Sequence, residues 1–368
     1  MASGAMLPRH VQPVEWARHD AVWLAWPCAA DLWGDALPAA QRQFVALCGA
    51  IDGERREILV PDADEESRAR AALAAGAVAG AATAATASDG LAATASAGVR
   101  FHRIPFGDIW MRDIAPVFVH DQRGDLAAAC FRFNGWGGKY VLPHDADVAA
   151  RVAAAAGAAR VPYDLVAEGG AVEVDGEGTL LTSRSCLLNA NRNPGLGEEA
   201  VARALSEALG ARRVLWVGEG LLEDHTDGHI DTIARFVAPG VVACMEPGGA
   251  GDPNAARLAR IAEEVAAMTD AAGRRLRVVP VPSPGRVEDA RGRLMPASYL
   301  NFYLANGSVA VPTYGAPRDE AAVHAVAALF PGRRATGVRA ETILEGGGAL
   351  HCVTQQQPAP RRALSERR

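Results

Sequence analysis

GEEAVARALSEALGARRVLWVG, residues 197–218, contains the two local patterns that set the fold class. Its first part has the apolar spacing of a helix and stops at Gly210, a residue type that commonly ends helices. Its second part, RVLWVG at 213–218, is a short apolar run typical of a buried strand. A similar run, TLLTS at 179–183, precedes the helix. A strand, a helix and a second strand therefore follow one another, as in α/β proteins.

Strand-like and helix-like segments alternate through the rest of the chain. Short apolar runs indicate buried strands, and amphipathic patterns indicate helices, the last of which is expected to end at Gly273. Further strands are predicted at 21–26, 57–61 and 241–247, and further helices at 38–51 and 254–273. The sequence as a whole thus predicts the α/β class.

Two stretches depart from this alternation. Residues 71–98 consist almost entirely of alanine, threonine, glycine and serine, so they offer little to a core. We interpret them as the end of a helix followed by a mobile, low-complexity insertion. Residues 359–368 are mostly polar and predict a flexible tail.

The composition is that of an ordinary globular protein. The chain has 368 residues, 49% hydrophobic and 22% charged, which is enough to bury a core. A net charge of −6 offers no basic footprint for nucleic acid or an anionic membrane. The first residues lack the layout of a signal peptide, and no apolar stretch is long enough to span a bilayer, so we expect a cytoplasmic location. The six cysteines form no CxxC pair, which argues against a zinc ribbon or a disulfide framework.

Five segments combine glycine or proline with polar residues that a packed core would not select. Strand ends and the loops after them are where sites are usually assembled, so candidate residues are sought there. The segments are DIWMRDIAP (108–116), AEGGAVEVDG (167–176), EDHTDGHIDTIARF (223–236), MPASYLNFYLANG (295–307) and EGGGALHCVTQQQP (345–358).

His229 and Asp231 lie two residues apart in the third segment. They begin an alternating run, HIDTIARFV, which predicts a strand with both side chains on one face. A base and an acid would then point to the same place. The alternative is a surface strand with its polar residues in solvent.

Cys352 follows three glycines and His351, and glycines allow backbone to approach a ligand closely. A cysteine acts as a nucleophile in its thiolate form, and its partner histidine is usually distant in sequence. We expect His229 to be that partner, because the adjacent His351 would face the opposite side of a strand. The alternative is a buried, inert thiol.

Asp113 and Glu168 add two carboxylates in turns flanked by glycine or proline, so the candidate site would attract a cation. Each carboxylate alone is more typical of a helix cap or a solvated charge. A zinc site would use His225, His229, Asp231 and Cys352, but the TDG turn at 226–228 separates the two histidines. Neither a metal nor a nucleotide cofactor is therefore expected.

Six blocks of sequence together resemble one known family, the agmatine deiminases, which belong to the bacterial peptidylarginine deiminase type within the guanidine-modifying superfamily. The opening PVEWARHDAVWLAWP is also similar, so the resemblance extends from Pro13 to Pro358. The blocks are WMRDIAPVFV, NGWGGKY, EGGAVEVDGEGTLLT with SCLLNANRNPGL, DGHIDTIARF, MPASYLNFYLANGSVAVPTYG and GGGALHCVTQQQP.

The resemblance implies a single domain over residues 1–368, built as a five-bladed α/β propeller (the pentein fold) with pseudo-fivefold ββαβ repeats and the active site on its axis. It implies cofactor-free hydrolysis of agmatine to N-carbamoylputrescine and ammonia, a step towards putrescine. It is compatible with a homodimer. The catalytic residues that it implies are Cys352, His229, Asp231, Asp113 and Glu168.

These five residues suit a guanidinium chemically. Two carboxylates, Asp113 and Asp231, can hold its N–H edges in the paired geometry that guanidinium groups favour. The bound cation would stabilise Cys352 as thiolate, and His229 would protonate the leaving ammonia and then deprotonate water. Glu168 would orient the imidazole, as a third residue does in hydrolase triads.

Two departures from the family pattern concern the substrate. Ala349 stands where the family usually has asparagine, and His225 where many members have an acid that would hold the far amine of agmatine. Asp224 is the adjacent acid and becomes the candidate for that amine. Trp110 is expected to form a wall for the aliphatic chain, although a core tryptophan is equally compatible. Free or peptidyl arginine, or amidino transfer to an amine, remain alternatives to agmatine hydrolysis.

Overall fold

A computed structural model of the protein describes residues 8–84, 98–249 and 251–361. In this part of the chain the strands form five small mixed sheets, with helices between many of them. The strands are β1 (His10–Val11), β2 (His19–Ala25), β3 (Arg55–Val60), β4 (Val99–Arg103), β5 (Val117–Asp121), β6 (Leu126–Arg132), β7 (Ala159–Val166), β8 (Glu173–Val174), β9 (Thr179–Ser183), β10 (Arg213–Val217), β11 (Ala234–Ala238), β12 (Val241–Glu246), β13 (Arg277–Pro282), β14 (Tyr303–Leu304), β15 (Ser308–Thr313), β16 (Arg334–Arg339) and β17 (Gln355–Pro358).

The helices vary from single turns to 22 residues. Three additional 3-10 turns lie at Gly34–Ala36, Gly169–Ala171 and Ile230–Thr232. The α-helices are α1 (Ala30–Trp33), α2 (Leu37–Ala50), α3 (Ala63–Ala84), α4 (Met111–Ile114), α5 (Gly135–Gly138), α6 (Asp145–Ala155), α7 (Arg184–Leu187), α8 (Glu198–Leu209), α9 (Ala255–Ala267), α10 (Asp319–Leu329) and α11 (Glu341–Glu345).

One order of elements recurs in all five sheets. Two antiparallel strands are followed by a helix and then by a third strand that is parallel to the second. In the fifth sheet the first strand of this unit is β17, which pairs antiparallel with β2 from the start of the chain. The strand orders are β1-β5-β6-β7, β10-β9-β8, β11-β12-β13, β14-β15-β16 and β17-β2-β3-β4. The α/β class predicted from the sequence is confirmed.

The five apolar runs predicted as strands all form strands, but the strand predicted from His229 begins only at Ala234, and one helix ends earlier than predicted. Gly210 ends α8 with a φ of 78°, as expected. In contrast, α9 ends at Ala267 and does not reach Gly273. The carboxylate of Asp270 accepts the backbone N–H groups of Ala272 and Arg274, so a turn replaces the last helical residues.

The two low-complexity stretches are described in part. Residues 71–84 continue α3, and residues 85–97 lie outside the described ranges. The tail is held at its start, because Ala359 N–H donates to the Arg18 carbonyl at 2.8 Å and Arg361 N–H to the Gly124 carbonyl at 3.1 Å. Residues 362–368 lie outside the described ranges as well. None of the helices in the described part combines the length and apolarity needed to cross a bilayer.

The recurring order of elements also positions the candidate residues. In each sheet a polar segment lies directly before the first strand of the antiparallel pair. Asp113 precedes β5, Glu168 precedes β8, and Asp231 precedes β11. Asn301 precedes β14, and Cys352 precedes β17. The five polar segments recognised in the sequence therefore occupy equivalent places in the five sheets.

Candidate active site

His229 is buried between two carboxylates. Its Nδ1 lies 3.8 Å from Asp113 Oδ1, and its Nε2 lies 3.7 Å from Glu168 Oε2. Burial by itself would lower the pKa of His229, but the Asp113 carboxylate, the Cys186 thiol and the Glu168 carboxylate raise it well above its usual value. The imidazole is therefore held in its protonated form.

The backbone around His229 differs from the predicted strand. Ile230–Thr232 is a 3-10 turn, and the strand begins only at Ala234. The His229 N–H donates to Thr226 Oγ1 at 2.9 Å, and Thr232 Oγ1 donates to the His229 carbonyl at 2.8 Å. Side-chain hydrogen bonds to the backbone thus favour a turn over the strand that alternation predicts.

Gly170 shows how closely the acids and the imidazole approach one another. A Cβ atom at this position would lie 2.5 Å from His229 Nδ1, 3.0 Å from Asp113 Oδ1 and 3.1 Å from Asp231 Oδ2. Asp231 is therefore brought beside His229 as expected, although by a turn and not by a strand face. Only glycine leaves room for three polar groups at this point.

Asp113 is held in place by two donors. The Trp136 indole N–H donates to its Oδ2 at 2.9 Å, and the Gly170 N–H donates to its Oδ1 at 3.2 Å. Burial, opposed by the charge of His229 and reinforced by the carboxylates of Glu168 and Asp231, raises the pKa of Asp113 to about 6. This carboxyl group therefore titrates close to neutral pH.

Glu168 is paired with Arg192, which the sequence analysis did not single out. The Arg192 Nε lies 2.9 Å and 3.0 Å from the two carboxylate oxygens, and both side chains are fully buried. The same guanidinium also donates to Asp227 Oδ2 at 2.6 Å and to the Thr226 carbonyl at 2.8 Å. Burial would raise the pKa of Glu168, but the His229 ring 3.7 Å away and the charge and hydrogen bonds of Arg192 hold it below its usual value. In the sequence, Arg192 could have been noticed as the one charged residue within the segment NANRNPGL.

Cys352 lies in a turn that precedes β17, not on a strand. Asn301 Oδ1 accepts its backbone N–H at 3.2 Å, and its carbonyl accepts the Arg112 N–H at 3.0 Å. A Cβ on Gly348 would lie 2.9 Å from its Sγ and 2.8 Å from the Trp110 ring, so this glycine makes room for the thiol. Burial and the charges of Asp231 and Asp113 raise the pKa of Cys352 well above its usual value. The thiol is therefore protonated when no cation is bound.

A second thiol, Cys186, lies beside the imidazole. The Sγ of Cys186 and ligand atoms of His229 and Glu168 all lie within 4.8 Å of one another. Burial is the main reason why the pKa of Cys186 is raised. No local pattern predicts this contact, because Cys186 follows a buried strand like an ordinary core residue.

Trp110 lies close to the thiol of Cys352. Its ring lies against Gly348 beside Cys352, its indole N–H donates to Asp108 Oδ2 at 2.8 Å, and it stacks on Trp33 with ring centroids 6.5 Å apart. The residue is also largely buried, as a core tryptophan would be, and its role as a wall for the substrate stays a prediction.

Asp224 is engaged within its own loop. Its Oδ1 accepts the N–H and the hydroxyl of Thr226, at 2.8 Å and 2.6 Å. His225 is exposed, stacks on Tyr140 and lies 3.9 Å from the position of a Cβ on Gly347. The histidine, more than the aspartate, thus faces the glycine segment that precedes Cys352.

Two groups of three potential metal ligands occur in the described ranges. They are Glu168–Cys186–His229 and Glu15–Glu173–His351, and neither is the set considered from the sequence. Arginine guanidinium groups contact the carboxylates of both groups. A fixed cation is therefore already present at each of them.

Comparison with known proteins agrees with this geometry. Agmatine deiminases of Stutzerimonas stutzeri (strain A1501) and Pseudomonas aeruginosa (strain LESB58) are each 34% identical over 374 residues, covering 95% of this chain and 96% of theirs. The solved structure of the agmatine deiminase of Enterococcus faecalis superposes with a TM-score of 0.84 at 29% identity, covering 96% of this chain and 97% of that one. The family model for Porphyromonas-type peptidyl-arginine deiminases matches residues 11–358. As the sequence motifs predict, the chain belongs to the Porphyromonas-type peptidyl-arginine deiminase family.

Proposed function

We propose that this protein hydrolyses agmatine to N-carbamoylputrescine and ammonia. The observation that carries the proposal is the buried cluster of Asp113, Glu168, Asp231 and His229 around Gly170, with Cys352 in electrostatic range of two of its acids. Such a cluster favours a planar cation with several N–H donors. The names of the relatives support agmatine as the first substrate to test.

We also propose that the five sheets are the blades of a propeller that surrounds this cluster. The recurrence of the same strand and helix order in every sheet supports this arrangement. So does the position of the polar segments, each directly before the first strand of an antiparallel pair. A closed ring of five equivalent units would bring five such segments to one axis.

Substrate binding would change the charge state of the thiol. Asp113 and Asp231 hold the N–H edges of the guanidinium, and its positive charge offsets the two carboxylates that keep Cys352 protonated. The thiol then loses its proton to solvent and the thiolate attacks the central carbon of the guanidinium. Activation of the nucleophile would therefore depend on a cationic substrate.

Attack forms an S–C bond and gives a tetrahedral adduct. His229, which is protonated beforehand, transfers its proton to one nitrogen, the C–N bond breaks, and ammonia leaves. The amidino group remains on sulfur as a cationic thioether. Neutral His229 then takes a proton from water, and the hydroxide adds to the same carbon. The C–S bond breaks, the hydroxyl proton of the adduct passes to the departing sulfur, and the urea product and the neutral thiol are released. Glu168, fixed by Arg192, orients the imidazole in both steps.

Incubation of the purified protein with agmatine tests the proposal. The expected result is equal amounts of ammonia and N-carbamoylputrescine. Release of ammonia from free or peptidyl arginine, but not from agmatine, would support deimination and rule out agmatine as the substrate. A new guanidino compound formed on addition of glycine or ornithine would instead indicate amidino transfer.

The pKa of Asp113, about 6, predicts the acid limb of activity. Below this value the free enzyme carries a neutral carboxyl group, which no longer holds the guanidinium. We expect kcat/KM, which reports groups of the free enzyme, to fall about tenfold per pH unit below about pH 6. Steady-state kinetics between about pH 5 and pH 8 measure this dependence of kcat/KM on pH. A kcat/KM that does not change across this range would contradict the prediction.

Substitution of Gly170 by alanine is expected to inactivate the protein without unfolding it. The new Cβ would overlap His229 and press on Asp113, while the backbone at this position needs no positive φ. We expect kcat/KM to decrease by about 100-fold or more, since small displacements of catalytic groups cost that much. Gly49→Ala is the matched control, because nothing lies within 4 Å of its Cβ position, on an exposed face of α2. Wild-type activity of Gly170→Ala would show that the cluster tolerates displacement.

A further inference from the structure

His351, the residue before Cys352, forms two short contacts behind the candidate site. Its Nδ1 lies 2.6 Å from Asp231 Oδ2, and its Nε2 lies 2.6 Å from Glu15 Oε1. His351 and Asp231 are buried, and Glu15 is nearly so. Neither His351 nor Glu15 has a role in the proposed reaction, so this arrangement needs a separate explanation.

The two contacts depend on which ring nitrogen carries a hydrogen. A neutral imidazole has one N–H hydrogen, so it donates to only one of the two acids. Burial would raise the pKa values of both acids, but nearby guanidinium groups and the contacts with His351 hold the pKa of Asp231 and of Glu15 below the usual range. Both acids are therefore carboxylates, whereas burial and the charges of Arg112 and Arg235 lower the pKa of His351, so its ring is neutral. We assign its single hydrogen to Nδ1, because Glu15 already contacts two guanidinium groups and Asp231 does not.

The surrounding charges balance this assignment. Arg235 pairs with Glu15 and Glu173, and Arg112 Nη1 lies 3.2 Å from Glu15 Oε1. Burial raises the pKa of Glu173 to about 8, so at neutral pH this acid and the His351 ring are both neutral. The carboxylates of Glu15 and Asp231 are then matched by the two guanidinium groups. A buried cluster with equal numbers of both charges avoids the cost of an unpaired ion.

The two oxygens of Asp231 then have different surroundings. Oδ2 accepts the hydrogen of His351 Nδ1, whereas Oδ1 is buried and has no hydrogen-bond partner among the described residues. A carboxylate held at one oxygen has its plane fixed, so its other oxygen points in a constant direction. That free oxygen is the one available to a guanidinium.

The turn that carries His351 is itself fixed. Asn301 Oδ1 accepts the backbone N–H groups of His351 and Cys352, at 3.0 Å and 3.2 Å. Arg112 donates to both carbonyl groups, from Nε to that of His351 at 3.4 Å and from its backbone N–H to that of Cys352 at 3.0 Å. The histidine ring and the thiol therefore share one rigid support.

We propose that His351 is a positioning residue for Asp231: its Nδ1–H holds Oδ2, so that Oδ1 is presented to the guanidinium of the substrate, while Glu15 lies against the other side of the ring. The inference rests on the proposed function, because it assumes a guanidino substrate. A metal ion at Glu15, Glu173 and His351 is not the better explanation, since the Arg235 guanidinium already contacts both glutamates.

Two substitutions of His351 separate this role from a purely structural one. The side-chain amide of asparagine can place an N–H donor where Nδ1 lies, whereas that of glutamine reaches towards the position of Nε2. His351→Asn thus keeps the donor to Asp231 and loses the contact with Glu15. His351→Gln loses the donor to Asp231 and can keep the contact with Glu15.

We expect KM for agmatine to rise about ten- to a hundredfold in His351→Gln, the range for a lost hydrogen bond to a charged group, and to stay within about threefold in His351→Asn. The expected change in kcat is smaller than that in KM in both variants. His102→Asn is the control, because His102 Nε2 lies 2.7 Å from Glu57 Oε2 on another part of the protein. Equal loss of activity in both His351 variants, or a loss in kcat alone, would overturn the proposal.

A structure of the Cys352→Ala protein with agmatine tests the same point without a substitution at His351. The expected arrangement has Asp231 Oδ1 on the guanidinium and Oδ2 still on His351 Nδ1. Both oxygens turned to the guanidinium, with the His351 contact broken, would refute the positioning role. Absence of agmatine turnover by the wild-type protein would instead refute the proposed function, so the two failures are distinguishable.

Discussion

Substitution of Cys352 by alanine is expected to reduce the turnover of agmatine by about 10⁴-fold or more, because the reaction would lose its nucleophile. The protein should fold normally, since the backbone contacts of this residue to Asn301 and Arg112 do not involve the sulfur. Steady-state assay of ammonia release measures the loss. Calorimetric binding of agmatine to the same variant should show that the acids still hold the cation.

Cys48→Ala is the matched control for this experiment. Cys48 is also buried, and burial also raises the pKa of its thiol, to about 12, but it lies on α2 in the hydrophobic core. We expect full activity and a modest loss of stability, of about 1 kcal/mol. Equal turnover by Cys352→Ala and the wild type would show that another group attacks the substrate.

Substitution of Arg192 by methionine is expected to destabilise the fold as well as inactivate the protein. The change leaves the Glu168 carboxylate buried without its cation and close to His229. Loss of one partner of a buried ion pair typically costs about 3–5 kcal/mol. Urea denaturation at neutral pH measures the difference in the free energy of unfolding.

The sign of the pH dependence provides a further check on Arg192→Met. The folded protein holds the pKa of Glu168 below its unfolded value, so this pair stabilises the fold above the unfolded pKa and the contribution disappears as pH falls. The difference between wild type and variant should therefore shrink below about pH 4, near the unfolded pKa of glutamate. Arg260→Ala, which removes an exposed partner of Glu219, should cost less than about 1 kcal/mol. A similarly small loss in Arg192→Met would contradict the prediction.

Local patterns were sufficient to predict five of the strands, the ends of two helices and the segments that form the candidate site. Apolar runs predict strands because burial depends mainly on composition over a few residues. Gly210 marks a helix end because it adopts a left-handed backbone conformation, which only glycine adopts without a steric penalty. Asp113 and Glu168 were found because they occur in turns flanked by glycine or proline, where a packed core would not place them. Asp231 was found through its spacing from His229.

The contacts that orient these residues could not be predicted in the same way. Arg192 and Glu168 are 24 residues apart, and His351 and Glu15 are 336 apart, so no periodicity connects them. Alternation also failed at His229, because the hydroxyl groups of Thr226 and Thr232 satisfy its backbone and favour a turn. Long-range polar pairing is decided by the tertiary fold, which a local pattern does not contain.

The pairing of β17 with β2 has a consequence for biosynthesis. The Trp23 indole N–H donates to Gln357, 334 residues further along the chain, so a ribosome releases one partner long before the other. During that interval β2 has an open edge that can recruit strands from neighbouring nascent chains, and the thiol next to β17 has not yet been translated. In the proposed mechanism the enzyme is thus inert until almost all of it has been made, and chaperones that cover an early, incomplete sheet should increase its yield.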